Sequence, residues 1–178
     1  MNLTNNIYLI GFMGTGKTVV GKKIAEIMGR IFLDIDSEIE KVLKCAISEI
    51  FDRYGEEKFR KKESDILSSI SGRNNLVVST GGGIVLNTEN LEKMKKSGLV
   101  VTLIARPEII CERLREDASR PLLANLDERE KLEEIKRLIF MRAGLYIKGN
   151  YIIDTSDLNS DIVAQNIIDY YNEWEINS

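Results

Sequence analysis

Short apolar runs alternate with helical segments along the chain, and this order restricts the possible folds more than any other feature. The segments between the runs have the spacing of amphipathic helices: Lys17–Met28, Ser48–Ile70, Glu89–Lys96, Glu108–Glu116, Glu128–Lys148 and Asp161–Glu173. The runs themselves are continuous and rich in Ile, Val and Leu: Ile7–Ile10, Ile31–Leu33, Leu76–Val78, Leu99–Ala105 and Tyr151–Ile153. Strands buried on both faces of a parallel sheet have this pattern. We therefore predict an α/β fold with right-handed crossovers and helices on both faces of the sheet.

The bulk composition is that of one compact domain. With 178 residues and 43% hydrophobic content, residues 1–178 can form a single core without disulfides or metals. The net charge of -3 gives no basic field, so we expect neither a nucleic-acid nor a membrane partner. No apolar run approaches the roughly 20 residues of a membrane span.

The cysteine and histidine content narrows the compartment and the chemistry. Cys45 and Cys111 lie far apart and neither belongs to a CxxC pair, which favours a reducing, cytoplasmic environment. The polar, uncharged N-terminus has no signal-peptide pattern. Because the chain contains no histidine, proton transfer falls to carboxylates, lysine, tyrosine or water.

The strongest local signal is a phosphate-binding loop. The segment Gly11-Phe12-Met13-Gly14-Thr15-Gly16-Lys17-Thr18 fits G-x-x-x-x-G-K-[ST] in full, after a predicted strand and before a predicted helix. Backbone N–H groups of such a loop and the helix N-terminus bind phosphates, Lys17 neutralises the β- and γ-phosphates, and the Thr18 hydroxyl can ligate Mg²⁺. With no guanine-reading segment and no second ATPase signature, a small kinase that uses ATP is the leading class.

Two carboxylates stand at the end of the second predicted strand. Asp34 and Asp36 are two residues apart, and on an extended chain their side chains would point the same way, into one cavity. Ligands of open parallel sheets bind at the carboxyl ends of strands, so one carboxylate could hold metal-bound water and the other a substrate hydroxyl. The alternative is that Asp36 or Ser37 only caps the following helix.

Two arginines and a run of three glycines are further candidates. Arg60 precedes Glu63 by three residues on a predicted helix, and Arg142 lies late in the long helix. Each is by itself typical of a solvated surface charge, but together they could bind a carboxylate through their planar guanidinium groups. The run Gly81-Gly82-Gly83 follows the third strand and is either a plain turn or bare backbone that a ligand approaches closely.

The long irregular stretch, residues 117–126, is either a lid over the active site or a surface loop. Arg120 precedes Pro121, which biases the arginine backbone towards an extended conformation. Arg120 is therefore either a free surface charge or a group that swings onto the phosphates.

These segments together resemble the shikimate kinase family. The resemblance spans nearly the whole chain, with the motifs in family order: Gly11–Thr18, Asp34-x-Asp36, Phe59-Arg60-x-x-Glu63, Gly81-Gly82-Gly83, Arg120-Pro121-Leu122-Leu123 and Arg142-x-x-Leu145-Tyr146. It implies a three-layer P-loop fold of the nucleoside-monophosphate-kinase type, with a five-stranded parallel sheet ordered 2-3-1-4-5 and a lid. The activity implied is transfer of the γ-phosphate of ATP to the 3-hydroxyl of shikimate, by a monomer, in aromatic amino acid biosynthesis.

The resemblance also implies a role for each candidate residue. Catalysis would depend on Asp36 as base, with Lys17 and Arg120. The nucleotide would be bound by Gly14, Thr15, Gly16, Lys17, Thr18, Val19, Arg113 and Arg120. Magnesium would be bound by Thr18 and, through water, by Asp34. Shikimate would be bound in the helical region of residues 36–71 and beyond it, by Asp36, Arg60, Gly81, Gly82, Gly83 and Arg142.

The sequence departs from the family pattern at two places. Val19 stands where a second hydroxyl residue is common, and the segment Asp154–Asp157 lacks a proline often found a few residues further on. Two competing hypotheses remain: a gluconate kinase or other small-metabolite kinase, and a non-catalytic nucleotide-binding protein on the same scaffold.

Overall fold

A five-stranded parallel sheet forms the centre of the molecule, with helices on both faces. The computed structural model describes residues 5–115, 121–123 and 126–177. The strands are β1 (Asn6–Ile10), β2 (Ile31–Asp34), β3 (Leu76–Ser79), β4 (Gly98–Ile104) and β5 (Tyr151–Asp154). Their order across the sheet is 2-3-1-4-5, which confirms the expected topology. All four pairings are parallel, so the carboxyl ends of the strands meet at one edge.

The helices connect the strands in chain order. They are α1 (Lys17–Met28), α2 (Ile35–Leu43), α3 (Ile47–Ile70), α4 (Thr88–Ser97), α5 (Pro107–Arg113), α6 (Glu128–Tyr146) and α7 (Ser160–Ile176). Short 3-10 turns occur at Ile84–Leu86 and Pro121–Leu123. None of the helices in the described part of the chain is long and apolar enough to cross a bilayer.

Two hydrophobic clusters lie on opposite faces of the sheet, because successive strand side chains point to opposite sides. On β1, Ile7 and Leu9 pack with α1 and α7, whereas Tyr8 and Ile10 pack with the helices of the other face. Every residue of β1 is buried, as expected for the central strand of a parallel sheet. The predicted three-layer arrangement is therefore present.

Three helix predictions need correction. Helix α2 was predicted without bounds of its own. It begins directly after β2, with Asp34 rather than Asp36 or Ser37 as its N-cap, and the Asp34 side chain accepts from the Ser37 backbone N–H at 3.3 Å. Helix α3 is not continuous, because Gly55 has φ 77° and ψ 166°. Helix α5 ends at Arg113, short of the predicted Glu116, which lies outside the described residues.

The start of α6 agrees with the sequence. Asp127 caps the helix and Glu130 reaches back to the Asp127 N–H, so both halves of the predicted capping box are formed. This cap fixes where the helix begins, and so sets the position of Arg142 four turns later.

Candidate active site

The phosphate-binding loop joins β1 to α1 at the carboxyl edge of the sheet. Gly16, just before the helix, has φ 93°, a left-handed conformation that glycine adopts without strain. Lys17 is 8% exposed, and its ammonium donates to the carbonyl oxygens of Gly11 at 2.9 Å and Phe12 at 2.8 Å. The loop thus presents a cation and a helix N-terminus to one cavity.

The residues expected at the metal lie together. The Thr18 hydroxyl donates to Asp34 Oδ2 at 2.8 Å and lies 3.3 Å from the Ser79 hydroxyl. All three groups offer oxygen ligands, which are the ligands that Mg²⁺ prefers. The donor set therefore fits a magnesium ion held between the protein and phosphate oxygens.

Asp34 and Asp36 line the same cavity as the phosphate-binding loop. The prediction that both carboxylates face one cavity is confirmed, but they do not do so as residues i and i+2 of a strand. The strand ends at Asp34, and Asp36 belongs to the first turn of α2. A turn of helix, not strand alternation, directs Asp36 towards the loop.

A second cavity adjoins the first and shares Asp36, Met13 and Gly82 with it. Its walls combine two arginines, a glycine run, one carboxylate and apolar side chains: Met13, Asp36, Ile47, Phe51, Phe59, Arg60, Gly81, Gly82, Gly83, Leu122 and Arg142. The structure thus brings Arg60 and Arg142 to one site, although they are far apart in sequence. A small anionic molecule bound here would lie between the arginines and Asp36.

The glycine run has no room for side chains. A Cβ at Gly81 would overlap with Glu63 Oε1 and lie 2.8 Å from Asp36 Oδ1. A Cβ at Gly83 would overlap with the Arg60 guanidinium. The run is therefore not a plain turn, because it lets α2 and α3 bring their charged groups to the loop after β3.

Arg60 is held by two carboxylates of its own helix. Its Nε and Nη2 donate to Glu56 Oε1 at 3.1 and 3.0 Å, and its Nη1 donates to Glu63 Oε2. The sequence indicated Glu63 but missed Glu56, which lies four residues before Arg60, a spacing that itself favours an ion pair.

Arg142 is 5% exposed, so it is no solvated surface charge. Its Nη1 donates to the Gly82 carbonyl at 3.3 Å, and its guanidinium lies 5.7 Å from the centre of the Phe12 ring. The Tyr146 hydroxyl donates to the same carbonyl at 2.6 Å. Burial raises the pKa of Tyr146, so this phenol stays neutral beside the arginine.

Glu63 is buried beneath the cavity floor. The pKa of its carboxyl is raised to about 7, chiefly by burial and to a lesser degree by Asp36 and Glu56, with Arg60 opposing the change. Its Oε1 has no hydrogen-bond partner among the residues that the structure describes.

A third cavity lies behind the phosphate-binding loop. It is lined by polar and apolar residues from four segments: Gly14, Thr15, Gly16, Val19, Val20, Arg113, Thr155, Leu158, Ser160 and Val163. Arg113 donates to the Gly14 carbonyl at 3.2 Å and to the Thr155 carbonyl at 2.7 Å. Val19, with 54% exposure, lines both this cavity and the phosphate cavity.

Arg120 and most of the expected lid, residues 117–126, lie outside the described residues. Within that segment, Leu122 lines the second cavity, which also contains Arg60 and Arg142, and Leu123 is buried in the adjoining core. The role assigned to Arg120 stays a prediction from the sequence.

Comparison with known proteins gives one consistent answer. The family model for shikimate kinase matches residues 13–172. A shikimate kinase of Pelotomaculum thermopropionicum is 44% identical over 168 residues, covering 94% of this chain and 96% of that protein. A shikimate kinase of Dechloromonas aromatica is 40% identical over 165 residues, covering 93% and 87%.

Solved structures of shikimate kinases are also similar to this chain. The shikimate kinase from Acinetobacter baumannii in complex with shikimate superposes with a TM-score of 0.90 at 37% identity, over 97% of this chain and 94% of the other. A gluconokinase from Sinorhizobium meliloti gives a TM-score of 0.61 at 15% identity, over 99% and 97%, which shows a shared fold only. The order of the strands, the full phosphate-binding loop and the match over residues 13–172 place this chain in the shikimate kinase family.

Proposed function

We propose that the chain transfers the γ-phosphate of ATP to the 3-hydroxyl of shikimate, giving shikimate 3-phosphate and ADP. Family membership makes it an ATP-dependent kinase of an alcohol group. The observation that supports the acceptor is the convergence of Arg60 and Arg142 on a cavity that also holds Asp36 and adjoins the phosphate-binding loop.

The triphosphate and the base of the nucleotide bind in two different cavities. The triphosphate lies along Gly14–Thr18, where backbone N–H groups, the α1 N-terminus and Lys17 offset its charge. The base lies in the cavity between Arg113 and Val163, next to Val19. Thr18, and Asp34 through water, would hold a Mg²⁺ ion, which when bound would offset charge on the transferring phosphate.

The acceptor is held at its carboxylate. Arg60 and Arg142 flank the cavity, and a planar carboxylate can accept paired hydrogen bonds from each guanidinium. Phe51 and Phe59, whose ring centres are 4.9 Å apart, form an apolar wall that suits one face of a carbocyclic ring. Gly82 lines the same cavity with bare backbone.

Asp36 is placed for the proton that leaves the acceptor. As the hydroxyl oxygen forms its bond to the γ-phosphorus, the bond from that phosphorus to the β–γ bridging oxygen breaks and ADP leaves. The hydroxyl proton passes to the Asp36 carboxylate. A loose transition state requires little prior deprotonation, so a carboxylate of modest basicity is sufficient when it is well placed.

A gluconate kinase need not pair Arg60 with Arg142, and would not need to bind a carboxylate on a rigid ring. The gluconokinase match shows the fold alone, whereas the shikimate kinase matches cover sequence and structure together. We further propose that the protein acts as a cytoplasmic monomer, with Arg120 against the phosphates.

Identification of the product tests this function. The protein is incubated with ATP, Mg²⁺ and shikimate, and the phosphorus and proton NMR spectra of the mixture are recorded. We expect one phosphomonoester, with its phosphorus coupled to the proton on carbon 3. Inorganic phosphate as the main product would identify an ATPase instead, and a phosphate on another hydroxyl would contradict the placement of Asp36.

A further inference from the structure

Glu63 and a bound carboxylate would share one guanidinium. Arg60 uses three of the five N–H donors of a guanidinium on its own helix, two towards Glu56 and one towards Glu63. An acceptor carboxylate between Arg60 and Arg142 therefore brings a third negative group to the Arg60 guanidinium, and with Asp36 the site then holds four carboxylates against two guanidinium groups. The repulsion must be relieved by movement, by screening or by neutralisation of one carboxylate.

The two resident carboxylates differ in their access to water. The Glu56 side chain is 48% exposed, so solvent screens it. The Glu63 side chain is 1% exposed. An added charge at Arg60 therefore acts far more strongly on Glu63 than on Glu56.

Other groups on the neighbouring elements keep Glu63 in a negative environment. From α2, Asp36 Oδ1 approaches the same point above Gly81 as Glu63 Oε1. On the opposite side, Lys61 and Asp65 of α3 line an outer cavity together with Glu63, and they carry opposite charges.

The groups that face Glu63 from α6 do not remove this imbalance. Tyr146 is neutral, so it adds no charge next to Glu63. Arg142 donates a hydrogen bond to the Gly82 carbonyl. Glu63 is thus the one carboxyl of this group that is both buried and beside the binding arginine, with an oxygen that lacks a hydrogen-bond partner within the described chain.

We propose that Glu63 is a positioning residue that takes up a proton from solvent when the acceptor's carboxylate binds at Arg60. Protonation removes the competing charge and leaves a neutral carboxyl that still supports the guanidinium. The proposal rests on the proposed function, because it requires an acceptor with a carboxylate at this site.

The sign of the pH dependence follows from linkage. The pKa of Glu63 in the free protein is about 7, and a new negative charge nearby raises it. Affinity for the acceptor is then highest at pH values below 7 and falls as the pH rises towards the higher pKa of the complex. A rise of about one pKa unit corresponds to uptake of about 0.4 proton at pH 7 and a tenfold loss of affinity at high pH.

Calorimetric titration measures this uptake directly. Shikimate is titrated into the intact protein, without nucleotide, at pH 7 in buffers of different ionisation enthalpy, and the slope of observed heat against buffer enthalpy gives the protons exchanged. We expect uptake of about 0.4 proton in the wild type and almost none in Glu63→Gln. Glu56→Gln is the matched control, because it removes the other carboxylate on Arg60 and should leave the uptake in place.

The wild-type protein alone also tests the proposal, should Glu63→Gln bind too weakly or fail to fold. Its dissociation constant for shikimate should rise about tenfold between pH 6 and pH 9, with proton uptake largest between pH 7 and 8. A constant that does not change with pH, or uptake that persists in Glu63→Gln, overturns the role of Glu63. Absence of any shikimate binding would instead overturn the proposed function.

Discussion

In the proposed function, acceptor recognition depends most directly on the buried guanidinium of Arg142. Because it is 5% exposed and held against Gly82, it cannot be replaced by a compact ammonium without loss of geometry. We expect Arg142→Lys to raise the Michaelis constant for shikimate by about 30-fold or more, with the constant for ATP nearly unchanged. Steady-state kinetics with each substrate varied in turn measures both.

Arg129→Lys is the control for this change, since Arg129 is an exposed residue of the same helix. It should leave both Michaelis constants as they are. A variant at Arg142 that binds ATP poorly and shikimate normally would move this residue to the nucleotide site.

A substitution at Asp36 tests whether this carboxylate accepts the proton of the acceptor hydroxyl. Asp36→Asn keeps the shape of the side chain and removes its capacity to accept a proton, so turnover should fall about a hundredfold or more. Thermal unfolding should change little. Asp52→Asn, an exposed position on α3, serves as control, and full turnover of Asp36→Asn would shift the base role to Asp34 or water.

The sequence predicted the chemical type of most candidate site residues, but it did not predict which of them are buried. The phosphate-binding loop is a local motif, and Lys17 donates to the carbonyl oxygens of Gly11 and Phe12 in the same loop. Arg142 resembles a surface charge in the sequence, because its partner, the Gly82 carbonyl, is 60 residues away. Only packing of α6 over the loop after β3 determines that it is buried.

At the scale of elements, the loop after β3 determines how closely α3 approaches the sheet edge. In Gly83→Ala, the new Cβ meets the Arg60 guanidinium, which is the end of a flexible side chain and will move. We expect the Michaelis constant for shikimate to rise about tenfold to a hundredfold, since a small displacement of a binding group is costly, with the constant for ATP retained.

Gly144→Ala provides the matched control for that experiment. Gly144 lies in α6, and a Cβ there meets nothing within 4 Å. The variant should keep its kinetics and gain up to about 1 kcal/mol of stability through helix propensity. Equal kinetic defects in both variants would show that the defect at Gly83 is not local.

The break in α3 at Gly55 depends on a backbone conformation that only glycine adopts without strain. Gly55 has φ 77° and ψ 166°, a region open to glycine alone, and a Cβ there meets nothing within 4 Å. Gly55→Ala should therefore lower the free energy of unfolding by about 1–3 kcal/mol through backbone strain only. Urea denaturation measures this, with Gly72→Ala as a control that should change little; an unaffected Gly55→Ala would mean that α3 can straighten at no cost.

The same break explains which elements the sequence did not predict. Helical spacing on both sides of Gly55 predicts one continuous helix, because a single glycine is tolerated within helices. Helix α2 was predicted without bounds because it follows β2 directly and is only nine residues long, too short for a strong helical spacing pattern. The strands, by contrast, were found to within a residue or two, since continuous burial leaves a strong pattern in the sequence.

At the scale of the molecule, one sheet edge positions the parts of the site. The loops after β1 and β3 supply the phosphate loop and the glycine run, and the junction of β2 with α2 supplies the carboxylates. These three strands are neighbours in the order 2-3-1. α3 and α6 then close the acceptor cavity from the side with one arginine each. The specificity of the enzyme is therefore a property of the assembled fold and not of any single motif.

The rate of ADP release across a panel of acceptors tests this account most directly. Shikimate, gluconate and nucleoside monophosphates are compared at equal MgATP in a coupled assay, with kcat/KM as the readout. We expect kcat/KM for shikimate to exceed that for each other acceptor by about a thousandfold or more, because only shikimate combines a carboxylate, a ring and a hydroxyl in the geometry of the cavity. Comparable values for gluconate or a nucleoside monophosphate, or ADP release at the same rate without any acceptor, would contradict it.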